Sequence, residues 1–101
     1  MIAELGKVAK QLRERKGLTQ TALAFSLDIS QVHLSNFENG KSKPSLELIE
    51  KYKEIFGFDL NMLAWCFYGD VDNLPKRVQA SAKRFQAVWK KHMEQQLESL
   101  E

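Results

Sequence analysis

The stretch Thr19–Gly40, TQTALAFSLDISQVHLSNFENG, constrains this chain more than any other. Thr19 precedes a short run with apolar Leu23, Ala24 and Leu27. A turn falls at Asp28–Ile29, and Ser30 then precedes a second run carrying Leu34 and Phe37, closed by Asn39–Gly40. Hydroxyl residues in front and glycine behind are the signals that start and stop helices. Two short helices joined by so tight a turn must cross steeply, which pushes the second out as an exposed rod. Ala24 is small where the two cross closest. Leu34 and Phe37, three apart, take the inner face of the rod and leave Gln31, Val32, Ser35 and Asn36 outward. A rod with this polar outer face can lie in the major groove of DNA. There Gln and Asn suit paired hydrogen bonds to adenine N6 and N7, and Val32 suits a thymine methyl.

The rest of the chain reads as helices arranged around that stretch. Residues 3–16 place Leu5, Val8, Ala9 and Leu12 at i, i+3, i+4 and i+7, with Gly17 as a stop and Leu18 anchoring the connection. After a loop at Lys41–Pro44, Ser45 opens a fourth helix expected to turn Leu46, Ile49, Tyr52 or Lys53, and Phe56 inward, with Gly57 ending it. Asp59 caps a short fifth helix, LNMLAWCF. Residues 69–75, GDVDNLP, read as a linker, and from Pro75 a long helix runs towards the C-terminus. Two prolines and five glycines in 101 residues leave little to interrupt helices. The expected fold is therefore all-α.

No apolar run reaches the roughly 20 residues that span a bilayer, and the N-terminus lacks a signal pattern, so a cytoplasmic protein without membrane contact is expected. Cys66 stands alone, which excludes an internal disulfide and a cysteine zinc site, and it reads as a small buried hydrophobe. The net charge is only +2, so binding to nucleic acid has to come from where charges sit. The chain shows no carboxylate pair, no nucleophile–histidine arrangement, no glycine-rich phosphate loop and no metal-ligand spacing. No enzyme, cofactor or metal is therefore expected.

The first helix with its arginine, L-T-Q-x-x-L-A, I-S at the turn, N-F-E-N-G-K-S-K-P-S, L-x-x-I-x-K and G-F-D-L-N-M-L together resemble the lambda-repressor-like, or XRE, family of helix-turn-helix regulators over residues 5–64. The resemblance implies a five-helix bundle that binds operator DNA, usually as a dimer. By position it implies Gln31, Val32 and Asn36 as base readers, with His33 and Ser35 at the margin. Gln20, at the N-terminus of the second helix, can meet a phosphate with its side chain and its backbone N–H. Ser30, Asn39, Lys41 and Lys43 complete the expected phosphate clamp. The resemblance also implies a partly buried ion pair between Arg13 and Glu38, structural rather than DNA-facing. The family commonly has glycine where this chain has Asp28, because the backbone there tends to need positive φ; aspartate visits that region more readily than most residues.

The chain is thus expected to form a DNA-binding domain over 1–68, a linker over 69–75 and a C-terminal helix over 76–101. That last helix lies beyond the usual family domain. Its residues Val78, Ala82, Phe85, Val88, Trp89, Met93, Leu97 and Leu100 are spaced at threes and fours on one side. The opposite side repeats basic pairs, Lys76–Arg77, Lys83–Arg84 and Lys90–Lys91, before Glu94, Glu98 and Glu101. His92 reads as a surface or interface histidine. The fifth helix is too apolar for one face, so it must be covered either by a second copy or by the chain's own C-terminal helix. Met62, Trp65, Phe67, Phe85 and Trp89 are the expected dimer interface. The basic face is open to three roles: a solvated surface, DNA-backbone contact, or docking of a protein partner through residues 70–101.

A sequence-specific transcriptional regulator is expected, a repressor working as a homodimer on an inverted repeat. One rival is an antitoxin with the same DNA-binding module and a toxin-binding C-terminal segment. Another is a module that keeps the fold but binds protein instead of DNA.

Overall fold

The computed structural model describes residues 2–99, with only the backbone at positions 2 and 3; Leu100 and Glu101 lie outside the described residues. The described residues form six α-helices and no strand: α1 Ile2–Arg15, α2 Gln20–Leu27, α3 Gln31–Glu38, α4 Leu46–Phe56, α5 Leu60–Tyr68 and α6 Lys76–Glu98. The architecture is the expected all-α bundle with a long added helix.

Local chemistry sets the boundaries. The hydroxyls of Thr19, Ser30 and Ser45 accept hydrogen bonds from the backbone N–H of Ala22, His33 and Leu48, each three residues into its helix. The Asp59 carboxylate accepts from Asn61 and Met62 at the start of α5. Each cap satisfies a donor that the first turn leaves without a partner. Gly57 ends α4 at φ +80°, a left-handed conformation that costs glycine little. Asp28 ends α2 at φ 58°, ψ 43° and is the one described non-glycine residue with positive φ. The turn therefore has the conformation that favours glycine, and the Ile29 N–H closes it by donating to the Ala24 carbonyl at 3.0 Å. Asp28→Gly is expected to stabilise the fold by about 1 kcal/mol, the left-handed cost being relieved. A lower melting temperature for that variant would count against strain at this turn.

The core gathers Leu5, Val8, Ala9 and Leu12 of α1 with Leu23, Ala24 and Leu27 of α2, Leu34 and Phe37 of α3, and Leu60, Leu63 and Ala64 of α5. Burial of each large apolar side chain stabilises by about 1.5–3 kcal/mol. Phe37 meets Tyr52 edge-on at 5.8 Å, and Tyr52 stacks on Phe56 at 5.7 Å. Burial pushes the Tyr52 phenol well above its usual value.

The face of α4 differs from expectation. Leu48, Ile49, Tyr52 and Phe56 point inward, whereas Leu46 is 85% exposed. At 100° per residue those four cluster on one side, and Leu46 sits about 100° from their centre in the first turn. Lys51, on the flank of α4, donates to the Leu27 carbonyl at 2.9 Å and so closes the C-terminal end of α2.

Residues 69–75 fold into a short 3-10 turn, Val71–Asn73, with Val71 buried. This turn sends α6 back along α5. Gln86 donates to the carbonyls of Trp65 and Gly69 at 2.8 and 3.0 Å, and Met93 and Leu97 enter the core. The chain's own C-terminal helix is thus one cover of the apolar fifth helix. The expected apolar side of α6 is divided by this docking. Met93 and Leu97 are buried and Ala82 is half-buried, but Val78, Phe85 and Val88 face solvent, Val88 at 67%. Gln86 occupies a half-buried position towards α5 instead, and Gln79 a half-buried one against the 3-10 turn, donating to the Asp72 and Leu74 carbonyls. Among the described residues no helix is long and apolar enough to cross a membrane.

Candidate nucleic-acid interface

The exposed rod is α3. Leu34 and Phe37 are fully buried beneath it, and Gln31, Val32 and His33 are exposed, Val32 at 64%. Ser35 and Asn36 are half-buried one turn further on. The first three of the expected readers are thus prominent and the last two deeper, with His33 turned to the flank beside Leu27, Ile29 and Lys51, away from the Gln20 side that holds Gln31.

Behind the readers runs a hydrogen-bonded chain that ties three helices together. The Arg13 guanidinium on α1 donates through Nε to Glu38 Oε2 at 2.8 Å and through Nη2 to Oε1 at 3.1 Å. Its Nη1 donates to the Leu18 carbonyl at 2.9 Å. The Glu38 side chain is 1% exposed and that of Arg13 12%. The expected structural ion pair is thus present, bidentate and almost dry. The Glu38 carboxylate holds the guanidinium above its usual pKa, so Arg13 stays charged at any working pH. Glu38 Oε1 also accepts from Gln20 Nε2 at 2.9 Å, and Gln20 Oε1 accepts from Gln31 Nε2 at 2.7 Å.

This chain refines the expectation for Gln20. Its side chain reaches sideways and fixes the amide of Gln31, so Gln31 presents its remaining donor and acceptor in a set orientation. The backbone N–H groups at the start of α2 stay available to an anion, because Thr19 caps Ala22 further in. The other expected phosphate contacts lie around α3. Ser30 caps the helix through its hydroxyl oxygen, Asn39 donates to Ser35 Oγ at 3.4 Å, and Lys41 and Lys43 are exposed on the following loop. The Lys41 N–H donates to the Asn36 carbonyl at 2.8 Å, which holds the loop against the end of the helix.

Two further residues that position this surface went unassigned in the sequence reading. Lys51 secures the end of α2. Gly6 lets α1 approach the end of α3: a Cβ at this position would meet the Phe37 carbonyl and lie 2.8 Å from the Glu38 carbonyl oxygen. The sequence signal for Gly6 was a glycine inside an otherwise regular amphipathic helix.

The expected dimer residues fall on two surfaces. Met62, Trp65, Phe85 and Trp89 line a groove between α5 and α6, with Trp65 and Phe85 rings 5.6 Å apart and Phe85 and Trp89 rings 5.8 Å apart. Phe67 faces the other way, beneath the Lys90 ammonium at 5.4 Å. Among the described residues no group of His, Cys, Asp and Glu could hold a metal ion. Cys66 is buried, and burial raises its thiol pKa.

A helix-turn-helix family model matches residues 10–63, from the middle of α1 into α5. The ImmF control region 10 kDa protein of Bacillus phage phi105 is 37% identical over 60 residues, 59% of this chain and 67% of that protein. An uncharacterized HTH-type transcriptional regulator of Bacillus subtilis, YqaF, is 36% identical over 70 residues, 69% of this chain and 87% of that one. Human endothelial differentiation-related factor 1 is 33% identical over 57 residues, 56% of this chain but only 38% of its own length. No solved structure matches the chain. With the matched segment spanning the capped pair α2–α3 and the Arg13–Glu38 pair behind it, the chain belongs to the XRE-type helix-turn-helix family of DNA-binding transcriptional regulators.

Proposed function

We propose that the protein is a repressor that binds an inverted-repeat operator as a homodimer in the cytoplasm, without cofactor or catalytic step. The observation that carries this reading is the outward face of α3, where Gln31 is oriented by Gln20 and thus by the buried Arg13–Glu38 pair. Preorganised side chains lose less entropy on contacting a base edge. Two copies would set their recognition helices about 34 Å apart, one turn of the duplex. Occupying promoter DNA would then exclude polymerase. Support for pairing comes from the groove of Met62, Trp65, Phe85 and Trp89, an apolar surface that the monomer leaves open.

Selection of bound sites from random DNA, followed by gel shifts of two variants, tests this reading. Asn36→Ala is expected to lose discrimination at one base position, by about 1–3 kcal/mol. Lys41→Ala is expected to weaken all sequences alike and to reduce the salt slope by about one. Identical behaviour of the two variants across a site library would overturn the division into readers and clamps. Absence of any selected sequence would overturn the repressor reading itself.

A further inference from the structure

The groove between α5 and α6 holds about 590 Å³, within the size range of sites for small ligands. Both tryptophans of the chain line it, Trp65 half-buried and Trp89 37% exposed. The Trp65 and Phe85 rings lie 5.6 Å apart and those of Phe85 and Trp89 5.8 Å, and the His92 ring meets Trp89 edge-on at 5.5 Å. The groove is polar at its other end, where Asp59 at the start of α5 and Gln96 near the end of α6 join the lining. Asp59 is the one acidic residue of that lining, which includes no lysine or arginine. Its two cap bonds, from the Asn61 and Met62 N–H at 2.8 and 3.2 Å, both end on Oδ1. Oδ2 is left without a donor among the described residues.

The charge of this lining has one sign. Aromatic faces carry negative charge density and attract cations, and the free carboxylate oxygen of Asp59 does the same. The helix ends do not reverse it. α5 begins and α6 ends beside Asp59, so their opposite half-charges offset each other and the carboxylate decides. Trp65 follows Asp59 by six positions on α5, about 9 Å along the axis at 1.5 Å per residue. A guest matched to both ends is flat and apolar at one end and positively charged at the other. A second copy does not supply it, because a symmetric pair sets each patch against itself: trough meets trough at the rims, and the floor stays unfilled. We propose that the groove between α5 and α6 is a binding site for a small aromatic ammonium compound, its ring against Trp65, Phe85 and Trp89 and its charge at Asp59.

The test titrates the full chain with phenylbutylammonium, beside phenylbutanol and phenylpentanoate, which keep the ring and chain without the positive charge. The indole N–H signals of the two tryptophans, both in the groove, read binding by NMR. The ammonium compound is expected to bind at least about tenfold tighter than either twin. Asp59→Asn, whose amide oxygen still caps α5, is expected to weaken the ammonium compound at least about fivefold and to leave the alcohol unchanged. Trp89→Leu, apolar but without a ring, is expected to weaken both. Equal binding of the three compounds, no binding of any, or a preference unmoved by Asp59→Asn overturns the proposal. Indole signals that move as the chain alone is concentrated, and then ignore the ammonium compound, assign the groove to the second copy and overturn it too. Sedimentation of the unliganded chain reads pairing separately, so the titration decides the ligand site whichever mass is found.

Discussion

Replacing Glu38 by alanine is expected to destabilise the protein by about 3–5 kcal/mol, measured by urea or thermal unfolding. The reason is what remains. Arg13 would keep its charge in a site where only the Leu18 carbonyl still accepts a hydrogen bond from it, and the carboxylate that remains near, Glu14 at 4.0 Å, is exposed and screened by water. Single domains are held by about 5–15 kcal/mol, so this one change removes a large share. Converting both partners to apolar residues, Arg13→Met with Glu38→Leu, is expected to cost far less, because no charge is then stranded. A double variant as unstable as Glu38→Ala would show that the pair contributes by shape and not by compensating charge. The loss should also reach the DNA surface. Gln20 would lose its acceptor, and Gln31 would no longer be held through it. Selectivity at the base read by Gln31 is therefore expected to fall under conditions where the variant is still folded.

Gly6→Ala is the second large effect, and its sign is a contest between two magnitudes. Alanine is preferred over glycine inside a helix by about 1 kcal/mol. Against that, the new methyl would press on the carbonyls of Phe37 and Glu38, backbone atoms that cannot swing away as a side chain can. Overpacking of this kind costs about 3 kcal/mol at its upper end. A net loss of about 2 kcal/mol is expected, with α1 pushed from the end of α3 and the Arg13–Glu38 geometry disturbed along with it. An unchanged or raised melting temperature for Gly6→Ala would mean that α1 and α3 are not this close.

Much of this was readable from residues near one another in the chain. Thr19, Ser30, Ser45 and Asp59 act on backbone groups two or three positions away, and the turn at Asp28 depends on its own dihedral angles. Position within the motif also marked Arg13 and Glu38 as partners, through family resemblance and not through spacing. The misreadings came where periodicity alone had to choose a face. Leu46 and Leu48 both fit an apolar pattern on α4, and only the direction of approach of the core separates them. On α6 the apolar side is wider than one neighbour can cover. Docking on α5 buried Met93 and Leu97 and left Phe85 and Val88 outside.

The same division runs through the stretch around Thr19–Gly40. Its two helices, their caps, the left-handed turn and the outward set Gln31, Val32 and Asn36 follow from local propensity and a 3.6-residue period, which act over a few residues and need no partner. The couplings do not follow from it. That Gln20 reaches Glu38 and orients Gln31, that Gly6 lets two backbones nearly touch, and that α6 leaves an apolar groove open beside α5 are all settled by packing between segments distant in the chain. Such contacts depend on the relative placement of whole helices, and a one-dimensional pattern carries no measure of that distance.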